Sequence, residues 1–324
     1  MSEPTREAPE TALLRLIGGY RVSQAIYVVT KLGVPDLLAA GPRDAGSLAR
    51  DLAVNPDRLY RTMRALASVG VLTMDGDLRF GLTEMGGLLK SHPEGSMALV
   101  SLFSGEEPYR AWGDLLHSVR TGETAFDHVY GMGHFEFLGL HPEASATFNR
   151  LMAWSVGVSA SPLEGYDLGR HKVLVDVGGG NGTLLAQALC AHPKLRGILF
   201  DQAPAVRDAP AVLRRSGVSE RCEIQTGSAF DAVPSGGDVY VMSRVLHDWP
   251  DDRALLLLAN CRRAMANDGV LLLVEGVLPE GVGAPSRLWL DLVMMVMTGG
   301  RERTEAEWRA LLEKGGFRMT SFSP

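Results

Sequence analysis

The chain has 324 residues, 46% of them hydrophobic, and a formal net charge of −6. That is material for about two globular domains with full cores, and the acidic balance is a poor footprint for a bulk nucleic-acid binder. Three cysteines (Cys190, Cys222, Cys261) are too few and too scattered for a disulfide framework or a zinc ribbon. No stretch reaches the roughly 18 apolar residues of a membrane span. The first ten residues carry acids where a signal peptide needs a basic head. The expectation is a cytoplasmic protein with reduced thiols.

Residues 11–39 show helical periodicity, with Leu13, Leu16, Ile17, Tyr20, Gln24 and Tyr27 near one face. The next segment reads as a short helix, a turn at Asn55-Pro56 and a second helix from Asp57 to Val69. A hairpin then turns at Asp75-Gly76. That is a winged-helix pattern. Residues 92–165 read as largely helical. From 172 the rhythm changes to short apolar runs ("KVLVDVG", "GILFDQ", "CEIQTGS", "VYVMSRV", "VLLLVEGV") separated by helical stretches. Such alternation indicates a parallel sheet covered on both faces. The sequence thus divides into a winged-helix-like domain (1–100), a helical linker contributing to a substrate pocket (101–168) and an α/β domain (169–324).

The run "VLVDVGGGNGTLL" places a glycine loop directly after the first strand. A dinucleotide fingerprint would read G-x-G-x-x-G, but here Thr183 stands in the place of the third glycine. Asp176, two residues before Gly178, would repel a pyrophosphate and attract a cation. With Gly178 and Gly180 it suits a positively charged nucleoside, and S-adenosyl-L-methionine, which has a sulfonium and no phosphate, fits. Asp201 ends the second strand, where an acid can accept both ribose hydroxyls. Dehydrogenases share that device, so Asp201 supports a nucleoside without choosing between the two. A glycine run alone could be a tight β–α connection.

His247 and Asp248 follow the fourth strand in "SRVLHDWPDD", at the rim where open α/β sheets place ligands. Glu275 ends the fifth strand, and Glu302 precedes the last helix in "TGGRERT". A histidine oriented by carboxylates is a general base. Spacing does not show that these groups meet.

Taken together, "DVGGGNG", "FDQAPAV", "VMSRVLHDWPDD", "LLLVEGVLPEG", "DLVMM" and "GGRERTEAEW" resemble the caffeate/hydroxyindole family of S-adenosylmethionine-dependent O-methyltransferases. Bacterial members act on antibiotic and pigment intermediates. The resemblance spans nearly the whole chain. It implies a Rossmann-like class I methyltransferase domain behind a mostly helical, winged-helix-like dimerisation domain, and a homodimer. It also implies His247 as the base that deprotonates the acceptor hydroxyl, flanked by Glu275 and Glu302, with Gly178, Gly180 and Asp201 on the cofactor. The family's acid after the third strand is replaced by Ser228, leaving Phe230 as the adenine contact. A lysine of plant members is replaced by Ser243-Arg244. Trp154, Asp248, Asp291, Met294 and Met295 fall to the acceptor side, since methionines pack adaptably on flat rings. Ordinary helix core is an equal reading for any one methionine.

Direct displacement at a sulfonium methyl needs no metal, and no Asp/His cluster with metal-ligand spacing is evident. The family's last antiparallel strand has no counterpart after "GGFRMTSFSP", so the sheet lacks it or is completed differently.

The rival reading is a winged-helix DNA-binding regulator with a ligand-sensing, catalytically silent methyltransferase-like domain. Arg58, Arg61 and Arg64 recur at helical spacing. Gly33–Lys90, however, holds seven basic and seven acidic residues, a net charge of zero. That is a poor phosphate footprint, and the presence of His247, Glu275 and Glu302 argues against silence.

Overall fold

The computed structural model describes residues 8–92, 96–157, 163–283 and 285–322. The N-terminal segment inspected above for a leader lies mostly outside them. Two compact units divide at Tyr109–Arg110.

The first unit has the expected winged-helix order. Strand β1 (Arg43–Asp44) leads into the helix Ala45–Leu52, and the helix Pro56–Ser68 follows. Strands β2 (Leu72–Met74) and β3 (Arg79–Leu82) then complete a sheet of order β1-β3-β2. Both helices start at side-chain caps, since Asp44 accepts from Ser47 N and Asn55 from Arg58 N. Leu48, Leu59, Met63, Leu66 and Phe80 fill the core. The helical stretch expected over 11–39 breaks into Pro9–Ile17, Gly19–Lys31 and Val34–Leu37, with Gly33 at φ 71° between the last two. Leu13, Leu14, Leu16 and Ile17 are each more than half exposed, so the first helix presents an uncovered apolar face. The arginine stripe is partly spent locally: Arg58 and Arg61 lie within 4.0 Å of Asp57, and Arg64 lies over the Tyr60 ring.

The second unit carries a five-stranded sheet. Its strands are β4 (Val173–Val177), β5 (Arg196–Asp201), β6 (Cys222–Thr226), β7 (Val239–Ser243) and β8 (Val270–Val274), in the order β6-β5-β4-β7-β8. Every pairing is parallel. The chain leaves β4 toward β5 and later returns to β7 on its other side, so a topological switch opens between β4 and β7 at their carboxyl ends. Helices Thr183–Ala191 and Ala209–Arg215 bury one face of the sheet, and Asp251–Ala264 with Glu305–Lys314 bury the other. Among the described residues nothing after Lys314 joins this sheet.

The linker expected over 101–168 does not stand apart. Leu163 and Leu168 are buried in the same core as Leu174 and Leu189, with Val156 and Tyr166 packed on it. Apolar burial therefore ties this segment to the sheet, and the boundary expected near Tyr166–Arg170 gives way to Tyr109–Arg110. A final ladder positions the chemistry: β9 (Val277–Leu278) pairs in parallel with β10 (Arg303–Thr304). That two-residue register brings Glu302 beside the end of β8.

Candidate active site

The glycine loop leaves β4 with Gly178, Gly180 and Gly182 all at positive φ, from 55° to 76°. Such angles favour glycine over any side chain. The space above Gly180 is open, with no atom within 4 Å of where a Cβ would stand. Beneath the loop lies Asp176, 1% exposed, with neither carboxylate oxygen hydrogen-bonded within the described residues. Burial first, and then Asp201, push its pKa up to about 7. Asp201 Oδ2 accepts from Gly180 N at 2.8 Å, which couples the two loops directly. Two carboxylates bordering the glycine loop repel a phosphate, whereas a cation brought beside an orphaned acid relieves its burial. The residues present fit S-adenosylmethionine.

Past β7, Ser243 remains half-buried at the strand end, while Arg244 adopts φ 54°. Its guanidinium donates to Ser155 Oγ at 2.8 Å and to Met152 O at 3.4 Å. Arg244 thus braces the helix Pro142–Gly157, which also carries Trp154. Ser228 Oγ accepts from Phe230 N at 3.2 Å and shapes the turn after β6. Asn260, which sequence reasoning missed, fixes that turn by donating to Ala229 O and Phe230 O. The Phe230 ring meets the Trp249 ring edge-on, and Arg253 lies 3.9 Å from its centroid. One face of Phe230 is therefore taken by Arg253, and a base would stack on the other.

His247 is 6% exposed and donates from Nδ1 to Glu302 Oε1 at 2.7 Å. A carboxylate only accepts, so this bond keeps a proton on Nδ1 and leaves Nε2 outside it. Glu275 Oε2 lies 3.7 Å from Nδ1, and Asp248 Oδ1 lies 3.9 Å from Nε2. Glu275 is itself held by Oε1, which accepts from Val245 N and Leu246 N. Burial opposes charge on the imidazole, but Asp248, the Glu302 bond and Glu275 outweigh it and raise the pKa to about 9. Burial likewise lifts Glu275 to about 7 and Asp248 to about 6, against the pull of His247. The three groups expected at the rim do meet.

Their meeting depends on residues that lie in the quoted motifs but whose part in the site was not revealed by spacing. Arg303, 1% exposed, donates to Leu246 O, Trp249 O and Asp251 Oδ1, pinning the His247 loop from below. Gly276 and Gly300 let backbones approach: a Cβ would stand 2.0 Å from Glu302 Oε2 at the first and 2.1 Å from His247 O at the second. Asp291 Oδ1 accepts from Glu302 N at 2.9 Å, so it supports the loop. Met294 is buried in its helix, the core reading, while Met295 stays half-buried.

Asp201→Ala is expected to weaken S-adenosylmethionine binding by about 1.5–3 kcal/mol, the range for a hydrogen bond to a charged group. Asp201→Asn, which keeps an acceptor for Gly180 N–H, should lose less. Titration calorimetry giving wild-type affinity in both variants contradicts the assignment.

Comparison with known proteins identifies the family. A profile described as an O-methyltransferase domain matches residues 112–318, and one described as an O-methyltransferase dimerisation domain matches 14–91. The chain is 42% identical over 313 residues to a phenazine O-methyltransferase of Lysobacter antibioticus, covering 96% of this chain and 92% of that one. It is 38% identical over 322 residues to the mitomycin biosynthesis 6-O-methyltransferase of Streptomyces lavendulae, covering 98% and 92%. A solved O-methyltransferase from neocarzinostatin biosynthesis, in complex with S-adenosylmethionine and 2-hydroxy-5-methyl naphthoic acid, superposes with a TM-score of 0.83. It shares 35% identity, with 91% of this chain and 90% of that one covered. A glycine loop over buried acids, a carboxylate-held histidine at the switch point and these whole-length matches agree, and the chain belongs to the S-adenosylmethionine-dependent O-methyltransferases of the caffeate/hydroxyindole type.

Proposed function

We propose that the chain methylates a phenolic hydroxyl on an aromatic secondary metabolite, with His247 as general base. The observation that carries this is the buried His247–Glu302 pair, which commits Nδ1 and leaves Nε2 for the acceptor's proton. S-adenosylmethionine supplies an electrophilic methyl on a good neutral leaving group. Asp176, Asp201 and the Gly178–Gly180 loop would hold it, and Phe230 would flank the base. A phenol near pKa 10 is mostly neutral at pH 7. The chain's own contribution is therefore to take its proton at Nε2 and to fix the oxygen in line. Glu302 and Glu275 orient the ring and stabilise the imidazolium. The half-buried Met295, with Trp154, suits a flat ring.

The named relatives are a phenazine O-methyltransferase, a methyltransferase of mitomycin biosynthesis and one solved with a naphthoic acid bound, which supports a fused aromatic acceptor here. The DNA-binding reading is not favoured, because its arginines are engaged locally. Among the described residues no helix is long and apolar enough to cross a membrane. A screen of phenolic metabolites with radiolabelled methyl donor should put label into an aryl ether. Label appearing only on amines or carboxylates overturns the acceptor class.

The dimerisation-domain match supports a homodimer, and the exposed face of Leu13, Leu14, Leu16 and Ile17 gives it apolar area to bury. Light scattering at micromolar concentration should give twice the chain mass. Leu16→Asp with Ile17→Asp should shift it toward the monomer. An active wild-type monomer contradicts this arrangement.

A further inference from the structure

We propose that Asp114, His117 and His128 form a binding site for a Zn2+-class metal ion, separate from the His247 cluster. Spacing alone does not reveal the cluster, since His128 lies eleven residues beyond His117. The fold supplies the proximity. Helices Leu115–Thr121 and Ala125–Tyr130 are joined through Gly122, at φ 79°. The two imidazoles consequently stack with centroids 3.8 Å apart and planes within 6°. One ligand atom from each of the three residues lies within 4.8 Å of the others.

Each ring is already held by a carboxylate. His128 Nδ1 lies 2.6 Å from Asp114 Oδ2, and His117 Nε2 lies 3.1 Å from Glu123 Oε2. An ion placed between these nitrogens and oxygens takes the place of the shared N–H protons, which move to the other ring nitrogens. Parallel rings do not share one in-plane point, so one ring must turn to coordinate. The His128 side chain is 55% exposed, Glu123 75%, and both can follow the ion. Two imidazoles and the Asp114 carboxylate make an N2O set of the kind Zn2+ accepts with water completing the tetrahedron, and imidazole disfavours Mg2+ and Ca2+.

The surroundings give the site an entrance and a consequence. An open cavity of about 550 Å3 is bordered by Glu123, Asp127, His128, Thr298 and Gly299. Both helices pack on the helix Pro285–Met297, whose end continues into the loop carrying Glu302. Where a Cβ would stand on Gly299, the Thr124 hydroxyl is 2.7 Å away. An ion joining the two helices therefore stiffens the support of the catalytic loop, and a ligand that binds only the folded chain raises its melting temperature.

The test uses the untagged full-length chain, dialysed against micromolar ZnCl2 after chelator treatment, with metal counted by mass spectrometry. About one zinc per chain is expected, together with a higher melting temperature, and Co2+ should give the intense visible bands of a tetrahedral site. His128→Ala and His117→Ala should each weaken binding at least ~10-fold, the scale for altering a metal's coordination sphere. Asp114→Asn, nearly isosteric, should weaken it without disturbing the fold by circular dichroism, so the result does not depend on a variant that misfolds. His247→Ala should keep the zinc. Binding lost in His247→Ala but retained in the His117 and His128 variants overturns the proposal, as does no zinc at micromolar concentration.

Discussion

Replacing His247 with alanine is expected to lower turnover by about 10²–10⁴-fold at neutral pH, the usual share of a general base, while leaving S-adenosylmethionine affinity nearly unchanged. The pH dependence makes the test specific. With its pKa raised to about 9, His247 rests as an imidazolium at pH 7. A neutral imidazole with a phenol carries the same protons as an imidazolium with a phenolate. The reactive complex is therefore one proton poorer than resting enzyme plus phenol. Wild-type kcat/KM should rise about tenfold per pH unit and level near pH 9.

Without His247 the phenolate must come from solution, so the variant's rise should continue to the phenol's own pKa of about 10. The deficit stays constant below pH 9 and narrows above it. Glu302→Gln should cost less, and its plateau should fall to lower pH, because the imidazolium loses its strongest hydrogen-bonded partner. A His247→Ala enzyme with wild-type turnover at neutral pH removes the base and leaves proximity as the whole mechanism.

The legible parts of this molecule are those where backbone chemistry writes directly into residue type. The five strands could be read because a parallel sheet buried on both faces needs continuous apolar runs. The glycines of the loop could be read because φ between 55° and 76° strongly favours glycine. Position alone at the ends of β7 and β8 marked His247 and Glu275. Their union with Glu302 was beyond periodicity, since it depends on a two-residue ladder, Arg303↔Val277 and Thr304↔Leu278, too short to leave a pattern. The bond from Arg244 to Ser155 was beyond spacing as well, since it rests on a left-handed backbone at φ 54°. The segment before β4 read as a linker because its turn residues are conspicuous. The burial of Leu163 and Leu168 that binds it to the sheet is spread over positions with no period. His117 and His128 became neighbours only once a glycine had folded one short helix back on the next.

Gly300→Ala is the second variant with a large expected effect, and it tests whether the catalytic geometry is set by backbone approach. Gly300 does not have a positive φ, so alanine there carries no conformational strain. The conflict is steric: the new methyl would stand 2.1 Å from His247 O and 2.4 Å from Asp248 C. These are backbone atoms, and no rotamer change moves them aside. Arg301 N donates to His247 O at 2.8 Å, so the two loops are stitched where the methyl intrudes. The loop must retreat, and Glu302 retreats with it while His247 stays with its own turn. A misplacement of about 1 Å costs roughly 10²-fold in rate. We expect a kcat loss of about that size with the cofactor Kd close to wild type, because the Gly178–Gly180 loop and Asp201 lie on other strands. The plateau of the pH profile should also fall below 9, since the His247–Glu302 bond is what the retreat breaks. The melting temperature separates this from general damage. If Gly300→Ala keeps wild-type kcat and pH profile, the close approach of these two loops is not what aligns the base.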